Sequence, residues 1–136
     1  MQYTLSSGIG FWPAAFVMSG LFAFGHVFNA HETPAGIASV VAFGLLLCLF
    51  LRRTGSIWFP VGFHAAWDFG QTFYGVADSG VLPYHSVFQS SFDGPTWLTG
   101  GIVGPEASIF APIALLIVGL IFSCFYRINK PVNYSS

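Results

Sequence analysis

Three ionisable side chains, His26, His64 and Asp68, sit inside otherwise apolar stretches. An aspartate at the centre of a membrane helix costs about 2.5 to 3.5 kcal/mol on insertion scales, so each such residue demands a reason. In a helix His64 and Asp68 lie four apart and share a face, and Phe22 and His26 have the same spacing. A neutral imidazole accepts a proton, binds a metal or donates to a developing oxyanion, and two imidazoles on different helices beside a carboxylate have the parts for hydrolysis. The same residues also suit packing alone, each histidine hydrogen-bonded to a neighbouring helix and Asp68 protonated or partnered. Spacing leaves both readings open.

The remaining polar residues read more plainly. His31 and Glu32 precede Pro34 at an expected membrane edge and His85 lies in a loop, where solvated polarity accounts for all three. Glu106 follows Pro105 at the head of the last apolar segment, which predicts a capping role through the helix dipole. Gly100, Gly101 and Gly104 precede no phosphate-binding strand-to-helix unit and predict loop flexibility. Cys48 and Cys124 fall within apolar runs and imply packing rather than a disulfide.

Only a bundle of the apolar segments could bring these residues together. Of 136 residues 54% are hydrophobic and 7% charged, with sixteen Phe and a mean hydropathy of +0.71. A soluble domain carries about 25% charged residues. Four basic and five acidic side chains could not cover such a globule without large apolar patches. Lipid is therefore part of the solvent, and the expected class is all-α, a polytopic transmembrane helix bundle forming one domain over residues 1–136. The net charge of −1 and the two short basic clusters, Arg52 with Arg53 and Arg127 with Lys130, argue against nucleic acid as a partner. Met1–Gly10 has neither the positive start nor the cleavage pattern of a secretory leader.

About 20 apolar residues cross the hydrocarbon core, and four segments approach that length: Ile9–Phe28, Ala35–Leu51, Ser56–Val76 and Ala107–Tyr126. The second is the shortest and the most open to doubt. Pro13 falls in the first turn of the first, and Pro112 marks either a late start or a kink in the last. A loop of about thirty residues without periodicity joins the last two. With both basic clusters on one side, the positive-inside rule makes that side cytoplasmic and turns Glu32, Asp78, Asp93 and Glu106 to the other. One conflict follows: straight spans leave His26 and His64 at depths differing by roughly 10 Å at the helical rise per residue.

Leu21-Phe-Ala-Phe-Gly-His26-Val-Phe-Asn29 resembles the FxxxH motif, with its trailing Asn, of the CAAX protease and bacteriocin-processing (CPBP) membrane proteins. Arg53-Thr-Gly-Ser-Ile-Trp-Phe-Pro-Val-Gly-Phe-His64-Ala-Ala-Trp-Asp68 resembles the HxxxN or HxxxD motif with its lead-in, and Thr99-Gly-Gly-Ile-Val-Gly-Pro-Glu106 is similar to a further family segment. The resemblance is to type II CAAX prenyl endopeptidases and implies a multi-pass membrane location, the cell membrane in a prokaryote. It also implies cleavage of a peptide or protein substrate near the bilayer. His26 would then help a glutamate activate water or bind a metal, while His64 and Asp68 steady the oxyanion. His26 and His64 are the only candidate ligands for a metal such as zinc.

Two departures bear on activity. The family's EExxxR motif, whose glutamate is the presumed base, is absent from the 136 residues, which contain no paired glutamates. Met1–Leu5 resembles the residues that follow that motif, so the expectation is a truncated chain, inactive alone, that lacks an N-terminal helical segment. Glu32 and Glu106 are conceivable substitutes, though neither occupies a family position. Asp68 also stands where many members have Asn, and an ionised carboxylate accepts hydrogen bonds only. The rival reading is a non-enzymatic membrane scaffold or immunity-type partner. A transporter is disfavoured because no paired broken helices stand in corresponding halves.

Overall fold

The computed structural model describes residues 1–126. Arg127 and Lys130, half of the orientation argument, lie outside the described residues. The helices run in the order α1 (Gln2–Ile9), α2 (Phe11–His26), α3 (Pro34–Thr54), α4 (Trp58–Tyr74), α5 (Thr96–Thr99) and α6 (Phe110–Phe125), with a 3₁₀ turn at Pro105–Ala107 before α6. The fold is all-helical, as the composition predicts, and its four long helices match the four expected apolar segments.

The boundaries differ in instructive ways. The segment expected to be shortest is the longest helix: α3 has 21 residues and is the one described helix long and apolar enough to cross a membrane by itself. The helix runs past the expected end at Leu51 and continues through Arg52 and Arg53 to Thr54. Cations suit the negative end of the helix dipole, and Gly55 (φ 65°) then closes it in a left-handed conformation. At its start Thr33 Oγ1 accepts the Gly36 amide at 3.1 Å, with Pro34 in the first turn. The first expected span is instead broken at Gly10 (φ 84°), which separates an unanticipated α1 from α2. In α6, Pro112 falls in the first turn, so it accompanies a late helix start rather than a kink.

Helices α2 and α3 are held close by small residues. Ala15, Ser19 and Ala23 repeat every fourth position along α2 and are buried. Opposite them is Gly44 of α3, where an added Cβ would stand 3.0 Å from Ser19 Cβ and 3.2 Å from Ser19 Cα. In lipid the hydrophobic effect does little to bring helices together, so close approach of backbones must supply the attraction. Aromatic packing joins the other long helices: the Phe50 ring of α3 lies 4.4 Å from Phe122 of α6 and 5.0 Å from Phe63 of α4. The outer faces are apolar, with Phe16, Leu21, Leu116 and Leu120 exposed.

The long connection after α4 folds back on the bundle. Phe88 donates its amide to Phe73 O and stacks on Tyr74, while Gly80 N bonds Val103 O and Ile109 N bonds Trp97 O. These bonds carry the chain from the end of α4 back to its own face before α6 begins.

If the α2–α3 seam holds the bundle, Gly44→Leu will overpack it and cost about 1 to 3 kcal/mol, read as a lower thermal midpoint in detergent. Gly62→Ala, whose added methyl meets nothing within 4 Å, will leave the midpoint unchanged or raise it.

Candidate functional site

The FxxxH-like segment forms the last turns of α2. His26 Nδ1 lies 2.8 Å from Phe22 O. A carbonyl only accepts, so Nδ1 carries the hydrogen and Nε2 of the neutral ring keeps its lone pair. On α4, His64, Trp67, Asp68 and Gln71 fall at positions i, i+3, i+4 and i+7 and share one face. His64 Nε2 lies 3.6 Å from Asp68 Oδ1, an ion-pair distance too long for a hydrogen bond.

His26, His64 and Asp68 line one cleft, together with Phe22, Phe43, Asp78, Ser79 and Glu106. Its volume, about 30 Å³, is enough for a water molecule. The conflict over depth resolves through Phe22, one turn before His26. Its ring lies 4.6 Å from the His26 ring and 5.5 Å from the His64 ring, bridging the two levels. The helical Cβ tilt towards the N-terminus and the bond to Phe22 O both fold His26 back along α2, towards the middle of the bundle.

Glu106 departs from its expected role. No side chain bond from it caps α6; it lies in the 3₁₀ turn and its carboxylate enters the cleft. Oε1 accepts from Trp67 Nε1 at 2.7 Å and Gln71 Nε2 at 3.0 Å, and Oε2 from Ser79 N at 3.0 Å and Ser79 Oγ at 2.6 Å. Four donors fill the capacity of an ionised carboxylate. Glu106 therefore ties α4 to the loop and has no lone pair left to take a proton from water.

Asp78, which the orientation argument places only on the side away from the basic clusters, lines the cleft. Its nearest donor is Gln71 Nε2, at 3.4 Å. Burial first, then the Glu106 and Asp68 carboxylates, push its pKa up to about 6, against the opposing pull of His64 and His26. The signal for Trp67 and Gln71 was present in the sequence, as the helical face of His64. For Asp78, Ser79 and Glu106 no local period exists, since they reach the cleft only through the folded-back loop. Glu32 stays outside it, accepting the Thr33 amide at 2.8 Å. His31 and His85 are exposed, as expected of loop polarity.

Among the described residues no three His, Cys, Asp or Glu side chains come together to hold a metal ion. His26 and His64, the candidate ligands, gain no third donor among the described residues.

No curated protein and no solved structure matches the chain. The sequence model of type II CAAX prenyl endopeptidase Rce1-like proteins matches residues 1–70. That stretch holds α1 to α3, most of α4, and His26, His64 and Asp68; Asp78 and Glu106 lie beyond it. With more than half of its 136 residues matched, the chain belongs to the type II CAAX prenyl endopeptidase Rce1-like family.

Proposed function

We propose that the chain carries the hydrolytic site of a multi-pass membrane endopeptidase that cleaves peptides at the bilayer, CAAX-type prenylated peptides being the class the family name suggests. The observation that carries this reading is the convergence of His26, His64 and Asp68, from two helices, on one water-sized cleft. In it, His26 Nε2 orients and helps deprotonate the water. His64 donates to the oxyanion that forms on the scissile carbonyl, and Asp68, four residues on, steadies the His64 ring.

General-base catalysis contributes about 10² to 10⁴ in rate, and the paired glutamates expected to provide it are not in the sequence. That the 136 residues alone do not cleave is part of this proposal. Joining an EExxxR-bearing helix ahead of Gln2 will raise cleavage of a fluorogenic farnesylated CAAX peptide in nanodiscs by about 10² or more. His26→Ala or His64→Ala will then abolish it. Cleavage that survives both changes would rule the site out.

A non-enzymatic membrane scaffold is the second reading, favoured by polar groups engaged in packing: His26 Nδ1 on Phe22 O, and Glu106 on Trp67, Gln71 and Ser79. It predicts no cleavage even with the helix joined, and alanine changes that lower stability alone.

The topology is tested separately, in a background with Cys48 and Cys124 replaced. Ser56→Cys, next to the Arg52–Arg53 cluster, will react with an impermeant maleimide only after the membrane is opened. Ser86→Cys in the α4–α6 connection will react in intact cells. The reverse pattern would invert the orientation.

A further inference from the structure

We infer that the Arg52 end of the bundle holds an anionic phospholipid, with its phosphate on the Arg52 guanidinium and one acyl chain in the apolar groove beside α3 and α6. The site lies at the other end of α3 from the cleft and does not depend on the hydrolytic reading.

The two arginines that end α3 are used differently. Arg53 donates from Nη1 to Tyr126 O at 2.8 Å and so ties α3 to the end of α6. Arg52 is laid over two rings at the start of α2. Its guanidinium carbon stands 4.9 Å from the centre of the Phe11 ring and 5.2 Å from that of Trp12. The rings meet edge to face, 5.3 Å apart, and form a corner that holds the cation. Ring faces attract a guanidinium without consuming its N–H groups, and those groups form a planar fork that matches the oxygens of a phosphate. A cation already fixed in place loses little further freedom when an anion binds to it.

The depth is also that of a headgroup. Trp12 and Tyr126 lie at the level of the two arginines through the contacts just given, and Trp and Tyr favour the membrane–water interface. The positive-inside rule turns this end to the cytoplasmic leaflet, where anionic lipids attract basic residues.

The groove starts at the same place. Helices α3 and α6 run side by side in one direction: a Cβ on Gly119 would meet Leu46 at 3.4 Å, Phe50 packs on Phe122, and Arg53 bonds Tyr126. Along this pair a groove of about 570 Å³ follows Leu45, Leu49, Leu116 and Leu120, with Trp12 and Pro112 also in its walls. Leu45, Leu49 and Arg52 fall at i, i+4 and i+7 of α3 and share a face, so the groove leads up to the guanidinium. Trp12 serves both parts, lining the groove and carrying the cation.

That combination selects the occupant. A partner helix could fill an apolar groove but brings no anion at a set depth, and a free phosphate could use the fork but would leave the groove unfilled. A phospholipid joins an anion to an apolar chain in one molecule. Leu115 lines both the groove and the cleft, so the seated chain packs against a wall of the cleft.

The purified chain in detergent is titrated with phosphatidylglycerol and, separately, with phosphatidylcholine of the same acyl chains, and bound lipids are counted by native mass spectrometry. One phosphatidylglycerol will bind about tenfold or more tightly than phosphatidylcholine. Arg52→Gln will remove that preference, whereas Arg53→Gln, which loses only the bond to Tyr126 O, will keep it. Leu120→Trp, at an exposed position in the groove, will weaken phosphatidylglycerol binding and tests the site even if Arg52→Gln fails to fold. Soluble glycerol phosphate will not compete. Equal binding of the two lipids by the parent would overturn the inference, as would an equal loss of preference in Arg53→Gln, which would mean general attraction to positive charge. Unchanged binding in Leu120→Trp, or displacement by glycerol phosphate, would overturn it by removing the groove from the site.

Discussion

A carboxylate inside a helical bundle is tolerable only where donors surround it, because an unpaired buried charge costs several kcal/mol and has no water to turn to. Glu106 meets that condition with four hydrogen bonds drawn from two places: Trp67 and Gln71 on α4, and the backbone and hydroxyl of Ser79 in the loop. Satisfying the charge forces the loop after α4 to return to α4 and forces the start of α6 to lie against both. The cleft is a consequence. His64 and Asp68 come with the α4 face that Glu106 grips, and Asp78 comes with Ser79.

The other wall depends on a different constraint. Helix α2 brings His26 to the cleft only because Ala15, Ser19 and Ala23 let it approach Gly44 of α3, and because Asn29 holds the following chain to Ser79 O. One wall is thus fixed by small residues and dispersion, the other by polar saturation. The polar interior sets three carboxylates in one cleft: Glu106, with every acceptor filled, beside Asp68 and Asp78.

What could be read from the sequence follows the range of the interactions involved. His26, His64 and Asp68 stood out because a polar residue in an apolar run is costly wherever it lies, and a four-residue spacing fixes a shared face without further knowledge. The four long helices followed from apolar length. Helix α3 extends past the expected Leu51 through Arg52 and Arg53, because a helix C-terminus welcomes positive charge. Gly10, which divides α1 from α2, was hidden inside a continuous apolar stretch. Glu106 looked like a cap because its local setting, after a proline and before a helix, is that of a cap. Its true partners are 27 to 39 residues away in sequence, and no period connects them. Asp78 was obscure for the same reason.

Glu106 fixes the Ser79 turn against α4, and hydrogen–deuterium exchange of the Ser79 amide is the measurement that reads this bond. In nanodiscs at neutral pH this amide, bonded to Glu106 Oε2, will exchange far more slowly than the exposed stretch around Tyr84 to Phe92, and Glu106→Gln will remove the protection while leaving α3 protected. An amide at Ser79 that exchanges as fast as the exposed loop, or one that stays protected in Glu106→Gln, would contradict it.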